Sequence, residues 1–138
     1  MSSIKDTAHA FFDACETGKG WDVCKQYCHP AATFSGQAGS LDGIDTLETY
    51  ANWMQGIFTP MPDASYEIHA FAVDDDRHTV AGFGVFKGTH TGEGGPVPPT
   101  GKATASEFVY VMRFEGDKIA HMTKVWNDAF AFNQVGWA

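Results

Sequence analysis

Apolar residues in the first part of the chain recur at helical spacing and predict three helices. Over residues 3–17 they fall on one face, as Ile4, Ala8, Phe11, Phe12 and Cys15. Glycines at 18 and 20 end this helix, and a short second helix is expected over 21–27, before His29-Pro30 stops it. A third helix is expected from about Ile44 to Phe58, because Pro60 and Pro62 close the pattern.

After Pro62 the pattern changes to alternation, which predicts β-strands. We expect strands over residues 66–73, 79–90, 102–114 and from 118 onward, with a brief earlier strand at 32–35. Gly82, Gly84 and Gly88 repeat along one face of the second of these four strands. Interior strand glycines often mark a sharp bend or the close approach of another group. The pattern therefore indicates a long, strongly curved sheet.

Helices first and strands afterwards, with hairpin-like connections, indicate an α+β fold with an antiparallel sheet. We expect one domain over residues 1–138, in which three N-terminal helices pack on the concave face of a cone-shaped curved sheet. The other face of such a sheet is rarely left bare. A homodimer formed through that face is therefore expected.

Composition and charge narrow the possible functions. The formal net charge of −8 argues against a surface for nucleic acid or anionic membranes, since both need clustered Lys and Arg. No signal-like or membrane-spanning apolar stretch is present, so a cytoplasmic protein is expected. Cys15, Cys24 and Cys28 are expected to be reduced, buried thiols, and no metal site is predicted because no second ligand pair has zinc-site spacing.

The last strand carries most of the candidate chemistry. With period two, Lys124, Trp126 and Asp128 share one side, and His121 and Asn127 share the other. A carboxylate beside the apolar residues that follow Asp128 should have a raised pKa, which suits proton transfer near neutral pH. The alternative is a strand whose Lys and Asp face solvent and whose aromatic residues are ordinary core.

A hairpin turn at Gly116-Asp117 would set the register of the last two strands. Glu107 would then lie across from Trp126, and Val109 across from Lys124. This register places Glu107, Lys124 and Asp128 on one face. The alternative is that Glu107 and Lys124 form a surface ion pair worth under ~1 kcal/mol.

Two other features leave their roles open at this stage. Trp53 lies on the shoulder of the third predicted helix, where it is either core or a pocket wall. The glycine-proline segment 92–101 is either a lid over a cavity or an inert connection.

Several motifs in the second half of the chain resemble those of the SnoaL-like polyketide cyclases, members of the nuclear-transport-factor-2-like superfamily. The resemblance runs in order after residue 80, and only the helix–helix–strand–helix layout agrees before it. The motifs are GTHTGE at 88–93, PPTGK at 98–102, GDKI at 116–119, Asp128, and QVG at 134–136.

The resemblance implies intramolecular aldol cyclisation of a small carbonyl compound, without metal or organic cofactor. It also implies that a carboxylate near the end of the last strand acts as acid and base. Asp128 is the carboxylate that this sequence has near that position. Counting without gaps from either flanking motif gives Asn127 instead, so either a bulge brings Asp128 to the pocket or an amide stands there.

The leading hypothesis is therefore a cofactor-free acid–base enzyme for cyclisation, isomerisation or dehydration of a small apolar carbonyl compound. Asp128 would transfer the proton with His90 or His121 as second participant, and Lys124 or Asn127 would donate to the oxyanion. Aromatic residues would shape the cavity and exclude water, namely Trp126, Phe130 and Phe132.

Two alternatives use the same fold. The first is a non-catalytic protein that binds a small hydrophobic ligand. The second is hydrolysis of an epoxide or ester, for which Glu107 and Asp128 would position a water molecule.

Overall fold

The computed structural model describes residues 3–137. It contains four α-helices and five β-strands, joined by 3-10 turns at Lys25–Tyr27 and Gly39–Leu41. The helices are α1 (Ile4–Glu16), α2 (Trp21–Cys24), α3 (Leu47–Ile57) and α4 (Asp128–Val135). The strands are β1 (Cys28–Gln37), β2 (Ser65–Asp74), β3 (Thr79–Thr89), β4 (Ala103–Glu115) and β5 (Lys118–Trp126).

The strands form one curved, unclosed sheet in the order β1-β5-β4-β3-β2. The α+β class is confirmed, and the three pairings among β2, β3, β4 and β5 are antiparallel as expected. The pairing of β1 with β5 is parallel, so the sheet is mixed. Parallel neighbours need a long connection, and here that connection is everything from α3 to β4.

The first and third predicted helices bury most of the faces that their apolar spacing indicated, and the expected helix over 21–27 is α2 followed by a 3-10 turn. In α1 the apolar residues Ala8, Phe11, Phe12 and Cys15 are fully buried, and the helix packs against β2, β3 and β5. Ser3 caps its start, since Ser3 Oγ accepts a hydrogen bond from Asp6 N at 3.2 Å. The third helix begins at Leu47 and not at Ile44, because Thr46 Oγ1 accepts from Thr49 N and caps the helix there.

A close approach between β2 and β3 explains one of the strand glycines. The register of β2 shifts between Ile68 and Ala70, which turns the Glu67 carbonyl toward β3. A Cβ at Gly84 would lie 2.5 Å from Glu67 O. Glycine is therefore required at this position for the two strands to pair.

The end of the chain is a helix, although we expected an apolar tail following a strand. Asn127 Oδ1 accepts from Phe130 N at 3.1 Å, and Gly136 ends α4 in the left-handed conformation at φ +81°. The last strand consequently stops at Trp126. The prediction that Asp128 shares a strand face with Lys124 and Trp126 is wrong.

A bulge in β5 also changes the predicted register. Glu115 pairs with Lys118 as expected, but Ala120 is an extra residue, so that Arg113 pairs with His121. From there onward Phe108 lies opposite Trp126 and Tyr110 lies opposite Lys124. The predicted pairing of Glu107 with Trp126 is therefore wrong by one residue.

Candidate functional site

A narrow cavity lies between the sheet, α3 and α4. The empty space between its walls, including the part open to solvent, is about 410 Å³, and it has room in this side-chain arrangement for about one water-sized molecule. Its walls are mostly apolar and aromatic, formed by Trp53, Met54, Ile57, Met61, Phe86, Thr104, Lys124, Trp126, Ala131, Phe132, Val135 and Trp137. The helix α4, which contributes three of these residues, closes one side of the cavity.

Lys124 is the only ionisable side chain among these walls, and 4% of its surface is exposed. Its Nζ lies 4.3 Å from the centre of the Trp126 ring. Four other rings, those of Tyr50, Phe108, Trp53 and Tyr110, lie within 5.3 to 5.8 Å of the same nitrogen. An amino group in such a ring of aromatic faces is shielded from bulk water and attracted as a cation.

A chain of hydrogen bonds connects Lys124 to a buried carboxyl group. Lys124 Nζ donates to Tyr50 OH at 2.9 Å, and the hydroxyls of Tyr50 and Tyr110 lie 2.6 Å apart. Tyr110 OH in turn donates to Glu16 Oε1. Glu16, Tyr50 and Tyr110 are all fully buried. The chain thus joins an amine and a carboxyl group through two phenols, without a solvent-exposed member.

Burial shifts the pKa of every ionisable group in this network. It raises the pKa of Glu16, and the nearby Lys124 charge and the Tyr110 hydrogen bond offset only part of that effect. Burial lowers the pKa of Lys124, against the opposing charge of Glu16. It also raises the pKa of both tyrosines well above the usual range, so both remain protonated.

Our sequence analysis did not identify Glu16, Tyr50 or Tyr110 as site residues. Glu16 follows Phe12 by four residues and so continues the buried face of α1, which was a usable signal. Tyr50 lies in the third helix and is fully buried. The expected pairing of Val109 with Lys124 would put Tyr110 on the opposite sheet face from Lys124, an error that follows from the bulge at Ala120.

Asp128 is not among the residues that line the cavity. Its Oδ2 accepts from Ser40 N at 2.7 Å, at the start of α4. Partial burial alone would raise the pKa of Asp128, but hydrogen bonds from Ser40 and from the first residues of α4 outweigh it, and the pKa is lowered. The expectation of a raised pKa is therefore wrong, because the carboxylate is hydrogen-bonded at a helix N-terminus.

Three other candidate residues lie on the far side of the sheet from Lys124. Glu107, Asn127 and Phe130 line a shallow groove on the outer face, and all three are exposed. Glu107 pairs with Val85 on β3. The neighbours of Val85, Gly84 and Phe86, are buried on the inner face, so the side chains of Val85 and Glu107 point outward. The structure therefore does not bring Glu107 together with Lys124, and the predicted shared face is wrong.

The two candidate histidines also lie apart from the cavity wall. His121 is on the outer face, where its Nδ1 lies 2.7 Å from Thr33 Oγ1, and partial burial and the nearby Arg113 lower its pKa. His90 is fully buried at the end of β3. Its Nδ1 accepts from Trp137 Nε1 at 2.8 Å, so the ring proton lies on Nε2.

The cavity adjoins a wider vestibule that is open to solvent. The vestibule spans about 970 Å³ of empty space, part of it open solvent, and shares Trp53, Ile57, Phe132 and Trp137 with the cavity. Residues 94–96 of the glycine-proline segment form part of its rim. The same segment is hydrogen-bonded at both ends, by Gly92 N to Pro60 O and by Thr100 Oγ1 to Val135 O. It therefore forms an anchored rim of the entrance in this structure.

No cluster of metal ligands accompanies this cavity. Within residues 3–137, no three His, Cys, Asp or Glu side chains are grouped so that they could hold a metal ion. The three cysteines are free and buried. No helix in the described part of the chain has both the length and the apolarity needed to cross a membrane.

Comparisons with known proteins agree with this architecture. AclR from Streptomyces galilaeus, described as "a putative hydroxylase", superposes with a TM-score of 0.77 at 18% identity, over 98% of this chain and 85% of that one. IdmH from Streptomyces antibioticus, described as "a putative polyketide cyclase", gives a TM-score of 0.76 at 20% identity, over 98% and 99% of the two chains. At these identities the likeness shows the fold.

No protein of curated function matches the sequence. The family described as SnoaL-like polyketide cyclase matches residues 6–135, which include every helix of the structure except the first two residues of α1, and every strand. This match spans both ends of the Lys124–Glu16 network and the whole cavity wall up to Val135. The chain belongs to the SnoaL-like polyketide cyclase family.

Proposed function

We propose that this protein is an acid–base enzyme of the cyclase type, acting on a small, largely apolar carbonyl compound whose carbonyl group enters the cavity while the rest of the molecule occupies the vestibule. One observation carries the proposal. Lys124 is the single ionisable group on an apolar cavity wall, and two tyrosines link it to a buried carboxyl group. Family membership supports the reaction class, which is intramolecular aldol cyclisation or a related isomerisation or dehydration.

In this proposal the substrate's carbonyl oxygen binds at Lys124 Nζ. Negative charge develops on that oxygen when the neighbouring C–H bond loses its proton, and a preorganised donor in a dry site stabilises such charge strongly. The Tyr50–Tyr110–Glu16 chain holds the amine in position and accepts or returns a proton. Trp53, Trp126 and Phe132 would shape the substrate's apolar part.

Asp128 receives a different role in this proposal from the one that the sequence suggested. Its hydrogen bond to Ser40 N and its place at the first residue of α4 suit it to holding that helix over the cavity. We therefore expect Asp128 to influence stability more than proton transfer.

The test measures exchange of the α-protons of a small apolar ketone, cyclohexanone, for deuterium in D₂O by NMR. The wild type should accelerate exchange, and Lys124→Met should reduce that acceleration by about 10²–10³-fold. Asp128→Asn is the matched control, and it should retain most of the acceleration. Tyr50→Phe, which keeps the ring and removes one link of the chain, should also reduce it.

Full exchange activity in Lys124→Met would refute the proposal. Binding of the ketone, seen as a change in fluorescence of the cavity tryptophans, without any accelerated exchange would favour the alternative of a non-catalytic protein for a small hydrophobic ligand. The apolar character of the cavity wall is the observation that supports this alternative.

We further propose that the protein forms a homodimer through the outer face of the sheet. Apolar residues form continuous rows there: Phe83 pairs with Val109, Ala81 with Val111, and Val109 with Val125. Val125 is 49% exposed. A second copy of the chain would bury these rows.

A further inference from the structure

The nitrogen of Lys124 has an unusual set of neighbours for a lysine. Tyr50 OH is its one hydrogen-bond partner within residues 3–137, and its remaining close neighbours are aromatic rings. An ammonium group has three donors to satisfy, whereas a neutral amine has two and also a lone pair. The ring faces attract the ammonium form, but its single hydrogen bond leaves two of its three donors without an acceptor, and the neutral amine has fewer donors to satisfy.

The hydrogen-bond chain offers a place for the proton that the amine form lacks. If Lys124 passes a proton to Tyr50, Tyr50 passes one to Tyr110, and Tyr110 passes one to Glu16, both phenols end unchanged. The result is a neutral amine and a neutral carboxyl group, with no charge moved to bulk solvent. Glu16 Oε2 has no hydrogen-bond partner among the described residues, which suits the carbonyl oxygen of a protonated carboxyl group better than a carboxylate oxygen.

We propose that Lys124 condenses with the carbonyl carbon of a small apolar aldehyde or ketone in the cavity, forming an imine. This inference rests on the proposed function, because it takes the cavity to be a carbonyl site, and it specifies how the carbonyl would be activated. Desolvated lysines in apolar pockets are suited to this chemistry, since only the neutral amine is a nucleophile.

The atoms and charges balance within the network. The amine nitrogen bonds to the carbonyl carbon, and one N–H proton moves to the carbonyl oxygen, giving a carbinolamine. The Glu16 proton, passed through Tyr110 and Tyr50, then allows the hydroxyl to leave as water. This leaves a positively charged iminium at Lys124 and a carboxylate at Glu16, so the network remains neutral overall.

The same chain of hydrogen bonds can take part in the conversion of the iminium to an enamine. The iminium makes the neighbouring C–H bond more acidic, and the carboxylate now at the far end can accept that proton through the two phenols. The product is an enamine, with Glu16 again protonated. The enamine carbon then attacks a second carbonyl in the same molecule, which forms the aldol bond and restores the iminium, and the new alkoxide takes the Glu16 proton through the two phenols. Water hydrolyses the product iminium to the carbonyl product and the Lys124 amine, and the proton released returns to Glu16.

The other lysines provide an internal comparison. The remaining six are Lys5, Lys19, Lys25, Lys87, Lys102 and Lys118. All are exposed except Lys118, which is half-buried. These six side chains keep contact with solvent, whereas Lys124 is enclosed. Burial lowers the pKa of Lys124.

The experiment traps the imine by reduction. The full chain is incubated at pH 7 with propanal and sodium cyanoborohydride, and the N-propyl group is located by peptide mass spectrometry. Lys124 should be labelled several-fold faster than Lys102. Tyr50→Phe should slow labelling of Lys124 but not of Lys102. The same reaction on the urea-unfolded chain should label both equally, which shows that the native fold causes the difference.

Labelling of Lys124 no faster than of Lys102 in the folded protein would overturn the inference. Equal labelling of Lys124 in the wild type and in Tyr50→Phe would show that the hydrogen bonds through Tyr50 do not assist imine formation. Failure here is distinguishable from failure of the proposed function: deuterium exchange that depends on Lys124, without trapping, leaves acid–base chemistry in place and excludes the covalent step.

Discussion

At the scale of single residues, the Lys124 amine and the Glu16 carboxyl group never touch. Two phenol groups separate them, and all four side chains lie in the interior. Taking an amine and a carboxyl group out of water costs several kcal/mol for each ion, and an indirect contact returns only part of this. We infer that this network is retained for its chemistry and not for stability. Removing either end alone should impair that chemistry, because the other end would lose the group with which it exchanges a proton.

The raised pKa of Glu16 has a measurable effect on stability. The native state holds this proton above pH 4.5, the ordinary value, whereas the unfolded chain releases it. The contribution of Glu16 to the free energy of unfolding should therefore fall as pH rises above 4.5. Urea unfolding of the wild type and of Glu16→Gln at several pH values between 4 and 8 measures this. The free energy of unfolding of the wild type minus that of the variant should decrease as pH rises.

Every other titrating group is common to the two proteins, so the difference isolates Glu16 and the groups coupled to it. A difference that is constant over the pH range would contradict the raised pKa of Glu16.

At the scale of elements, local signals explain most of what could be predicted from the sequence. The helical spacing in α1, the alternation in β2 to β5 and the turn at Gly116-Asp117 all depend on neighbours a few residues away. The extra residue Ala120 could not be predicted in this way, because a bulge is set by how two strands pack. That single residue reversed the side assigned to Tyr110 relative to Lys124.

The fourth helix shows a different limit. Its capping residues, Asn127 and Gly136, are visible in the sequence, but the aromatic residues between them also fit a strand or a tail. The buried face of α4 consists of Ala131 and Val135, which is too short a stripe to decide by periodicity. The sequence therefore indicated that these residues are apolar, but it did not indicate that they form a helix.

Two glycines in different elements should respond to alanine in opposite ways. Gly84→Ala would force a Cβ to within 2.5 Å of Glu67 O, so the strands must shift, at a cost of about 1–3 kcal/mol. Gly56→Ala adds a methyl group with no atom within 4 Å in the exposed part of α3, and should stabilise by about 0.5–1 kcal/mol. Denaturant unfolding compares both with the wild type. Similar effects of the two substitutions would contradict the close contact of β2 and β3.

At the scale of the whole molecule, the architecture was more predictable than the site. Helices followed by strands indicated an α+β fold, and the ordered motifs indicated the family, because both signals extend along the chain. The site instead depends on α1, α3, β4 and β5 meeting at one place. Lys124 and the aromatic wall residues could be named as candidates from one stretch, whereas Glu16 and the two tyrosines required the three-dimensional packing.

The outer face of the sheet allows a test of the proposed assembly. Analytical ultracentrifugation should show a dimer for the wild type and a monomer for Val125→Glu, since a charge would be buried between the two copies. Val97→Glu is the matched control, because Val97 is 38% exposed but lies in the 92–101 segment, away from the sheet. A monomeric wild type, or equal dissociation by both substitutions, would refute the proposed interface.

The position of the network in the chain has a consequence for how the protein is made. Glu16 is synthesised before its partner on β5, and the strands β1 to β4 are synthesised between the two. Until then, a carboxyl group in the first helix has no amine to pair with, and its tyrosine partner on β4 is also absent. A nascent chain therefore cannot assemble the reactive lysine before the helices and the other strands are already present to enclose it.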